Sequence, residues 1–208
     1  METLQKFYDA LVADPYKVFM VMPDEQIVGK SRILDLADAD QGIFSTCELN
    51  IFPGSFNPLH DGHRHIFDKI PSSKKTFEIS LARWGKANLS CEELEKTLGQ
   101  FKWYAPVLVT NAPRFLEKCG ALKFIKELRF QVGIDTIIRL RDDCGEMGIV
   151  GIPAMFEVYD RDMGNGVICY PHDFKVKPEN VWRSHRQNPL EILNISSTKI
   201  RSSKRHPP

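Results

Sequence analysis

The sequence lacks a surplus of either charge: 28 Lys and Arg stand against 27 Asp and Glu, for a net charge of +1. That balance argues against the broad positive field of a protein held mainly by nucleic-acid phosphates, and leaves room for a small anionic ligand, which needs only local charge. Cysteine is sparse and scattered. The five, Cys47, Cys91, Cys119, Cys144 and Cys169, are odd in number and contain no C-x-x-C pair, which argues against both a disulfide framework and a cysteine-based zinc site and fits reduced thiols inside a cell. No apolar run approaches the length of a membrane span, and the opening METLQKFYDALVADPYK has no secretion core. The chain therefore reads as a soluble, cytoplasmic protein with neither a nucleic-acid nor a membrane partner. Internal repeats and low-complexity stretches are absent too. What is present is ordinary globular material: 208 residues, 42% hydrophobic and 26% charged, enough for one sizeable core with an appendage.

The first 47 residues read as that appendage. Leu4, Phe7, Tyr8 and Leu11 sit at helical spacing, YKVFMVMPD reads as a strand closed by a proline turn, and residues 24 to 46 show no clear period. From residue 49 short β-like and helical runs alternate: LNIF, GHRHIFDKI, KTFEISL and SCEELEKTLGQF. Ser90 and Glu93 form an S-x-x-E capping box, with Leu94, Leu98 and Phe101 on one face of a helix that runs to about residue 103. PVLVTN is the next strand, APRFLEKC a short helix with Gly120 past its end, and RFQVGID a strand with a short helix after Asp135. MFEVYDR and VICY read as strands, and NISSTKIRSS as a helix start. This alternation predicts an α/β fold, Rossmann-like, with a mainly parallel sheet and helices on both faces. Ligands of such sheets bind beyond the carboxyl ends of the strands.

GSFNPLHDGH, residues 54 to 63, stands at such an end, directly after LNIF. Gly54 tolerates backbone angles that other residues resist and Pro58 stiffens the turn, which suits backbone N–H groups aimed at a phosphate. His60 and His63, three apart at a helix start, lie on the same side of its first turn, where the dipole favours anions. Gly62 leaves a ligand room to approach, and two imidazoles there can donate to phosphate oxygens as charge builds. A zinc site from His60, His63 and His65 is the rival, but nothing nearby has the ligand spacing of a closed site, so no metal ligands are assigned. His65 reads as an ordinary solvated or packed histidine.

GSFNPLHDGH resembles the H-x-G-H signature of the nucleotidylyltransferase superfamily, and ISSTKIR, residues 195 to 201, resembles its second signature, I-S-S-T-x-I-R. VGID, residues 132 to 135, is similar to the G-x-D of the nicotinamide-nucleotide adenylyltransferase branch. The resemblance spans about residues 48 to 203, tightly at the motifs and loosely between them, so residues 48–208 read as a nucleotidylyltransferase domain. It implies transfer of AMP from ATP to a small phosphorylated acceptor with release of pyrophosphate, and magnesium carried mainly by the triphosphate. The acceptor it points to is nicotinamide mononucleotide, giving NAD; phosphopantetheine, choline or polyol phosphates, and CTP in place of ATP, are the alternatives.

Carried over residue by residue, the resemblance makes His60, His63 and Arg201 the catalytic groups and Gly54, Ser55, Phe56, Asn57 and Gly62 the nucleotide wall. Ser196, Ser197 and Thr198 would hold the outer phosphates from a helix start; the bland reading of those three is a simple N-cap. Asp135 is open between ribose contact and helix cap. Trp84 is the candidate to stack on the acceptor's ring, with packing as its alternative. The nicotinamide branch often carries a tryptophan soon after its G-x-D, whereas TIIRLRDDCGEMG follows here, and residues 160 to 190 have no counterpart. These extra pieces suit homo-oligomer contacts or the covering of sheet edges. H-x-G-H also resembles the ATP site of class I aminoacyl-tRNA synthetases, which need tRNA-binding domains, and a nucleotide-binding module without turnover is the remaining rival.

Overall fold

A computed structural model of the chain describes residues 2–23, 32–36, 48–71, 74–83, 85–102, 104–162, 167–168, 179–184, 195 and 200–201. In chain order the elements are α1 (Glu2–Ala13), β1 (Phe19–Met22), β2 (Arg32–Asp35), β3 (Glu48–Pro53), α2 (Asp61–Lys69), β4 (Lys75–Ser80), α3 (Cys91–Leu98), β5 (Val107–Thr110), α4 (Phe115–Ala121), β6 (Glu127–Gly133), α5 (Ile134–Val150), β7 (Met155–Tyr159), β8 (Arg161–Asp162), β9 (Val167–Ile168) and β10 (Val181–Arg183). They group into two compact units. The first is Met1–Ser55 with Lys74–Leu128, the second Phe56–Ser73 with Arg129–Pro208.

In the first unit, parallel ladders join β3 to β4 and β4 to β5, while β1 runs antiparallel between β5 and β2. The apolar runs explain the parallel part: VLVT of β5 is buried at every position, as are the four inner residues of β3 and of β4, the pattern of strands covered on both faces. Phe52 lies opposite Phe77 in register, with their rings stacked at 5.6 Å. The helical spacing read in the first residues forms α1, whose Leu4, Phe7, Tyr8 and Leu11 line one small cleft with Phe19, Val21, Leu94 and Val109, the rings of Phe7 and Phe19 lying edge-on at 4.7 Å. Leu11, the fully buried one of the four, contributes about 1.5–3 kcal/mol. The Tyr8 hydroxyl donates to the Leu89 carbonyl at 2.8 Å, so α1 is pinned by a polar contact as well.

In the second unit β6 pairs with β7 and β7 with β10, both in parallel. Phe130 and Phe156, partners in that register, stack at 5.6 Å. Two buried polar pairs are satisfied inside it: Tyr159 Oη donates to Gln131 Oε1 and Ser184 Oγ to Glu157 Oε1, each at 2.8 Å. Asn180 secures the turn before β7. Its Nδ2 faces the carbonyls of Ile149, Ile152 and Ala154 at 3.0, 3.2 and 3.0 Å, and its own carbonyl accepts from Phe156 N–H at 2.7 Å.

The expected α/β, Rossmann-like class with mainly parallel strands is what the chain adopts. The capping box is present as read: Glu93 N–H donates to Ser90 Oγ at 3.1 Å and Ser90 N–H to Glu93 Oε2 at 2.9 Å. Three local readings differ. The helix after Ser90 ends in a tight turn at Gly99–Phe101, short of residue 103. Gly120 lies inside α4 rather than past it, because Leu122 is the capping residue and its N–H closes on the Lys118 carbonyl. The helix after Asp135 is long, not short, and breaks within itself at Gly145, whose φ of 72° and ψ of 169° are open to glycine at little cost. β2 and β10 escaped the sequence reading; of the VICY segment the described residues Val167 and Ile168 form a strand, paired antiparallel with Arg161–Asp162. Among the described residues no helix is long and apolar enough to cross a membrane.

Replacing Asn180 by Ala removes an amide donor shared by three carbonyls at one turn, of which those of Ile149 and Ile152 keep the N–H groups of Ile152 and Ala154. It is expected to lower stability by about 0.5–1.5 kcal/mol in urea denaturation, the net range for a lost hydrogen bond, with no change in the m-value.

Candidate functional site

GSFNPLHDGH leaves the end of β3 from a fixed point. Gly54 N–H donates to the carbonyl of Glu78 in β4 at 3.0 Å, one step beyond the Pro53–Glu78 register pair. The left-handed residue of the turn is Phe56, at φ 42°, and not Gly54 as the glycine suggested. A non-glycine residue there costs roughly 1–2 kcal/mol, and burial offsets it: the Phe56 side chain is 1% exposed and stands edge-on to the His63 ring at 5.1 Å and 83°. The aromatic ring selects the turn geometry. The Asn57–Pro58 peptide is cis, and the carbonyl of Asn57 accepts a hydrogen bond from Nη1 of Arg201.

His60 then serves as the N-cap of α2 in an extended conformation, φ −139° and ψ 171°. His63, one turn on, has its Nδ1 3.4 Å from the backbone N–H of His60, which donates to it. This is the second half of a capping box, with an imidazole in the place of the usual carboxylate or amide. Because Nδ1 accepts, the neutral His63 ring carries its proton on Nε2, the nitrogen left to donate. The two imidazoles stack at 3.7 Å and 23°, with His60 buried at 8% exposure; Gly62 is buried in the same helix. A near-parallel stack lays the two rings face to face. Among the described residues no three His, Cys, Asp or Glu side chains gather as a metal-holding group. Asp61 is exposed in the same first turn, its carboxylate favoured by the helix dipole.

The sequence-predicted residues thus divide. Phe56, Asn57, His60, Gly62, His63 and Arg201 come together, and Gly54 and Ser55 lead into them along the chain. Asp135 does not cap α5, whose N-cap is Gly133; it sits in the first turn, where its carboxylate pairs with Arg139 at 3.3 Å. Trp84, Ser196, Ser197 and Thr198 lie outside the described residues, as do Trp103, Cys47 and Cys169. The three described cysteines, Cys91, Cys119 and Cys144, are free thiols; burial pushes Cys119 up to about 11, against a smaller opposing effect of the Lys118 charge.

One cluster was not singled out from the sequence. In the first unit, Lys118 Nζ lies 2.6 Å from Glu78 Oε1 and 2.7 Å from the Ala112 carbonyl, and Thr110 Oγ1 donates to the same Glu78 oxygen at 2.6 Å. The signal that could have found it is the glutamate inside the apolar run KTFEISL, since a carboxylate buried in a strand demands a partner.

Among solved structures, a Plasmodium falciparum nicotinic acid mononucleotide adenylyltransferase complexed with NaAD matches with a TM-score of 0.51 at 18% identity, over 74% of this chain and 82% of that one. The chain shares the fold of this adenylyltransferase. A second structure of a Plasmodium falciparum nicotinic acid mononucleotide adenylyltransferase, complexed with APC, aligns over the same shares at 16% identity and a TM-score of 0.49. No protein-family model and no curated protein matches the sequence. At 18% identity the likeness to the adenylyltransferase speaks for the fold; the chemistry has to be argued from the side chains.

His65, two residues past the stacked pair, has its Nε2 buried with no hydrogen-bonding partner among the described residues. Its pKa is lowered from 6.5, first by burial and then by Lys69, against an opposing effect of Asp68. A histidine neutral in the fold and more basic when unfolded gives full stability above about pH 6.5 and loses it as pH falls through the lower, folded value. His65→Phe is therefore expected to flatten the fall in urea midpoint between about pH 6.5 and pH 5, relative to the parent chain.

Proposed function

We propose that this chain is a nucleotidyltransferase that moves AMP from ATP to a phosphorylated acceptor with release of pyrophosphate. The observation that carries the reading is the contact of Arg201 with the Asn57 carbonyl, across a sequence separation of 144 residues. It brings the arginine of ISSTKIR onto the turn that carries GSFNPLHDGH, which supports reading the two motifs as halves of one triphosphate grip.

The chemistry asked of these groups is positioning and charge stabilisation. An oxygen of the acceptor phosphate attacks the α-phosphorus of ATP in line; the new P–O bond forms as the bond to the β-phosphate oxygen breaks, and pyrophosphate leaves. The attacking oxygen is already anionic, so no general base is required. His63, through Nε2–H, and His60 donate to the α-phosphate oxygens as charge shifts, and the Arg201 guanidinium adds a cation beside them. The backbone of Gly54, Ser55 and Phe56, with Asn57 and Gly62, forms the wall on which the nucleotide rests. In the same reading Ser196, Ser197 and Thr198 hold the outer phosphates, Asp135 meets the ribose hydroxyls and Trp84 stacks on the acceptor. Magnesium, when bound to the triphosphate, neutralises part of its charge; the reading asks no protein carboxylate to hold it.

The acceptor we infer is nicotinamide mononucleotide or its acid form, nicotinic acid mononucleotide. The motif resemblance to the nicotinamide branch supports this, as does the fold shared with an enzyme named for the acid form. Pyrophosphate release is the measurement, with MgATP or MgCTP and a panel of nicotinamide mononucleotide, nicotinic acid mononucleotide, phosphopantetheine, glycerol phosphate and choline phosphate. Release with ATP and a pyridine mononucleotide is expected. Release only with another acceptor would move the substrate class, and MgATP binding without pyrophosphate from any of them would replace the enzyme with a nucleotide-binding module.

With the productive acceptor in hand, His63→Ala is expected to lower kcat about a hundredfold or more, the usual loss for one transition-state donor. The variant's circular dichroism spectrum serves as the check on folding; unchanged turnover in a folded variant would remove the histidine mechanism.

A further inference from the structure

Glu78 occupies an unusual place. It lies in β4 between Phe77 and Ile79, both fully buried, and its own residue is 1% exposed. Its carboxylate is held by Lys118, 5% exposed, and by Thr110, fully buried at the end of β5. Lys118 spends a second contact on the Ala112 carbonyl, and Ala112 N–H donates to Thr110 Oγ1 at 3.4 Å, so the turn after β5 is clamped from both sides. A buried ion pair of this kind is a poor source of stability, because desolvation offsets the attraction and apolar residues of similar volume serve as well or better. What the pair does supply is a fixed position. Glu78 is also the residue whose backbone carbonyl receives Gly54 N–H, the first contact of the GSFNPLHDGH turn.

We infer that Glu78, locked by Lys118 and Thr110, is a positioning residue that fixes where the phosphate-binding turn leaves β3. The inference rests on the nucleotidyltransferase reading and adds a residue to it that touches no substrate. Through one residue of β4, the start of the turn is tied to the end of β5 and to α4. Loosening the side-chain lock frees the strand end, and with it the carbonyl that holds Gly54. Displacements of about 1 Å in a positioned phosphate site reach a hundredfold in rate even when the altered residue is remote from the reacting atoms.

Stability and position can be separated by changing both charges at once. Glu78→Leu combined with Lys118→Met replaces the pair with apolar side chains of similar bulk and leaves neither charge orphaned, so its thermal midpoint is expected to equal or exceed that of the parent. Its kcat for pyrophosphate release is nevertheless expected to fall about tenfold to a hundredfold, whereas Lys118→Arg, which keeps the charge, retains most of the turnover. Full turnover in a stable double variant would show that the pair only packs, and would overturn the inference. Should the double variant not fold, Glu78→Gln takes its place, read at a temperature where the folded fraction is complete: kcat lowered as above supports the lock, and parental kcat overturns it. The parent chain separates the two failures. A parent that releases pyrophosphate while the double variant matches it defeats the positioning role alone; a parent that neither releases pyrophosphate nor binds MgATP by calorimetry defeats the nucleotidyltransferase reading and the inference with it.

Discussion

Residues 54 to 60 must turn the chain from the end of β3 into the first turn of α2, and the chemistry-bearing groups stand where they do because of how that turn is held. Three anchors hold it. Gly54 is tied to the Glu78 carbonyl, Phe56 accepts a left-handed backbone in return for full burial, and the Asn57 carbonyl takes the Arg201 guanidinium. With those in place His60 arrives as an N-cap, and His63, one turn later, closes back on it through Nδ1. The stacked pair is thus oriented by contacts within the chain, which is the preorganisation that the proposed transfer asks of it.

Several buried polar groups inside the two units are given partners that do structural duty elsewhere. Lys118 ties Glu78 and also the Ala112 carbonyl. Asn180 spans three carbonyls at the turn into β7, and Ser184 satisfies Glu157 next to it along β10. Buried charge costs several kcal/mol in desolvation unless paired in this way, which restricts these residues to one arrangement. His65 Nε2, Ser80 Oγ and Asn180 Oδ1 are buried without such a partner among the described residues, and the lowered pKa of His65 follows first from its burial: the neutral ring is easier to bury than the charged one.

Much of the strand and helix order was legible because it rests on local physics. LNIF, KTFEISL, PVLVTN and MFEVYDR are apolar runs of strand length, and each became a strand near its expected place. The Ser90–Glu93 box marked its helix start because both halves of that contact are three residues apart. The readings that differed depend on more distant matters. Arg32–Asp35 and Val181–Arg183 are strands because β1 and β7 offer them open edges, and so short a segment has no pattern of its own. Gly120 looked like a helix terminator, yet α4 passes through it to Leu122. Gly54 looked like the strained position, yet the buried ring of Phe56 carries the positive φ.

What the sequence by itself determined is the inventory and its order: the α/β alternation, the histidine pair at a strand end, the serine-rich segment with Arg201, and the superfamily these resemble. Spacing along one chain suffices for those, since a turn, a cap or an apolar face involves residues within a few positions of each other. Only the tertiary structure decided which ring nitrogen of His63 accepts from the His60 N–H, that Arg201 reaches the Asn57 carbonyl, and that Glu78 finds Lys118 and Thr110. Each of the last two joins residues tens to more than a hundred positions apart, and burial and ring stacking select such partners only after the chain has folded.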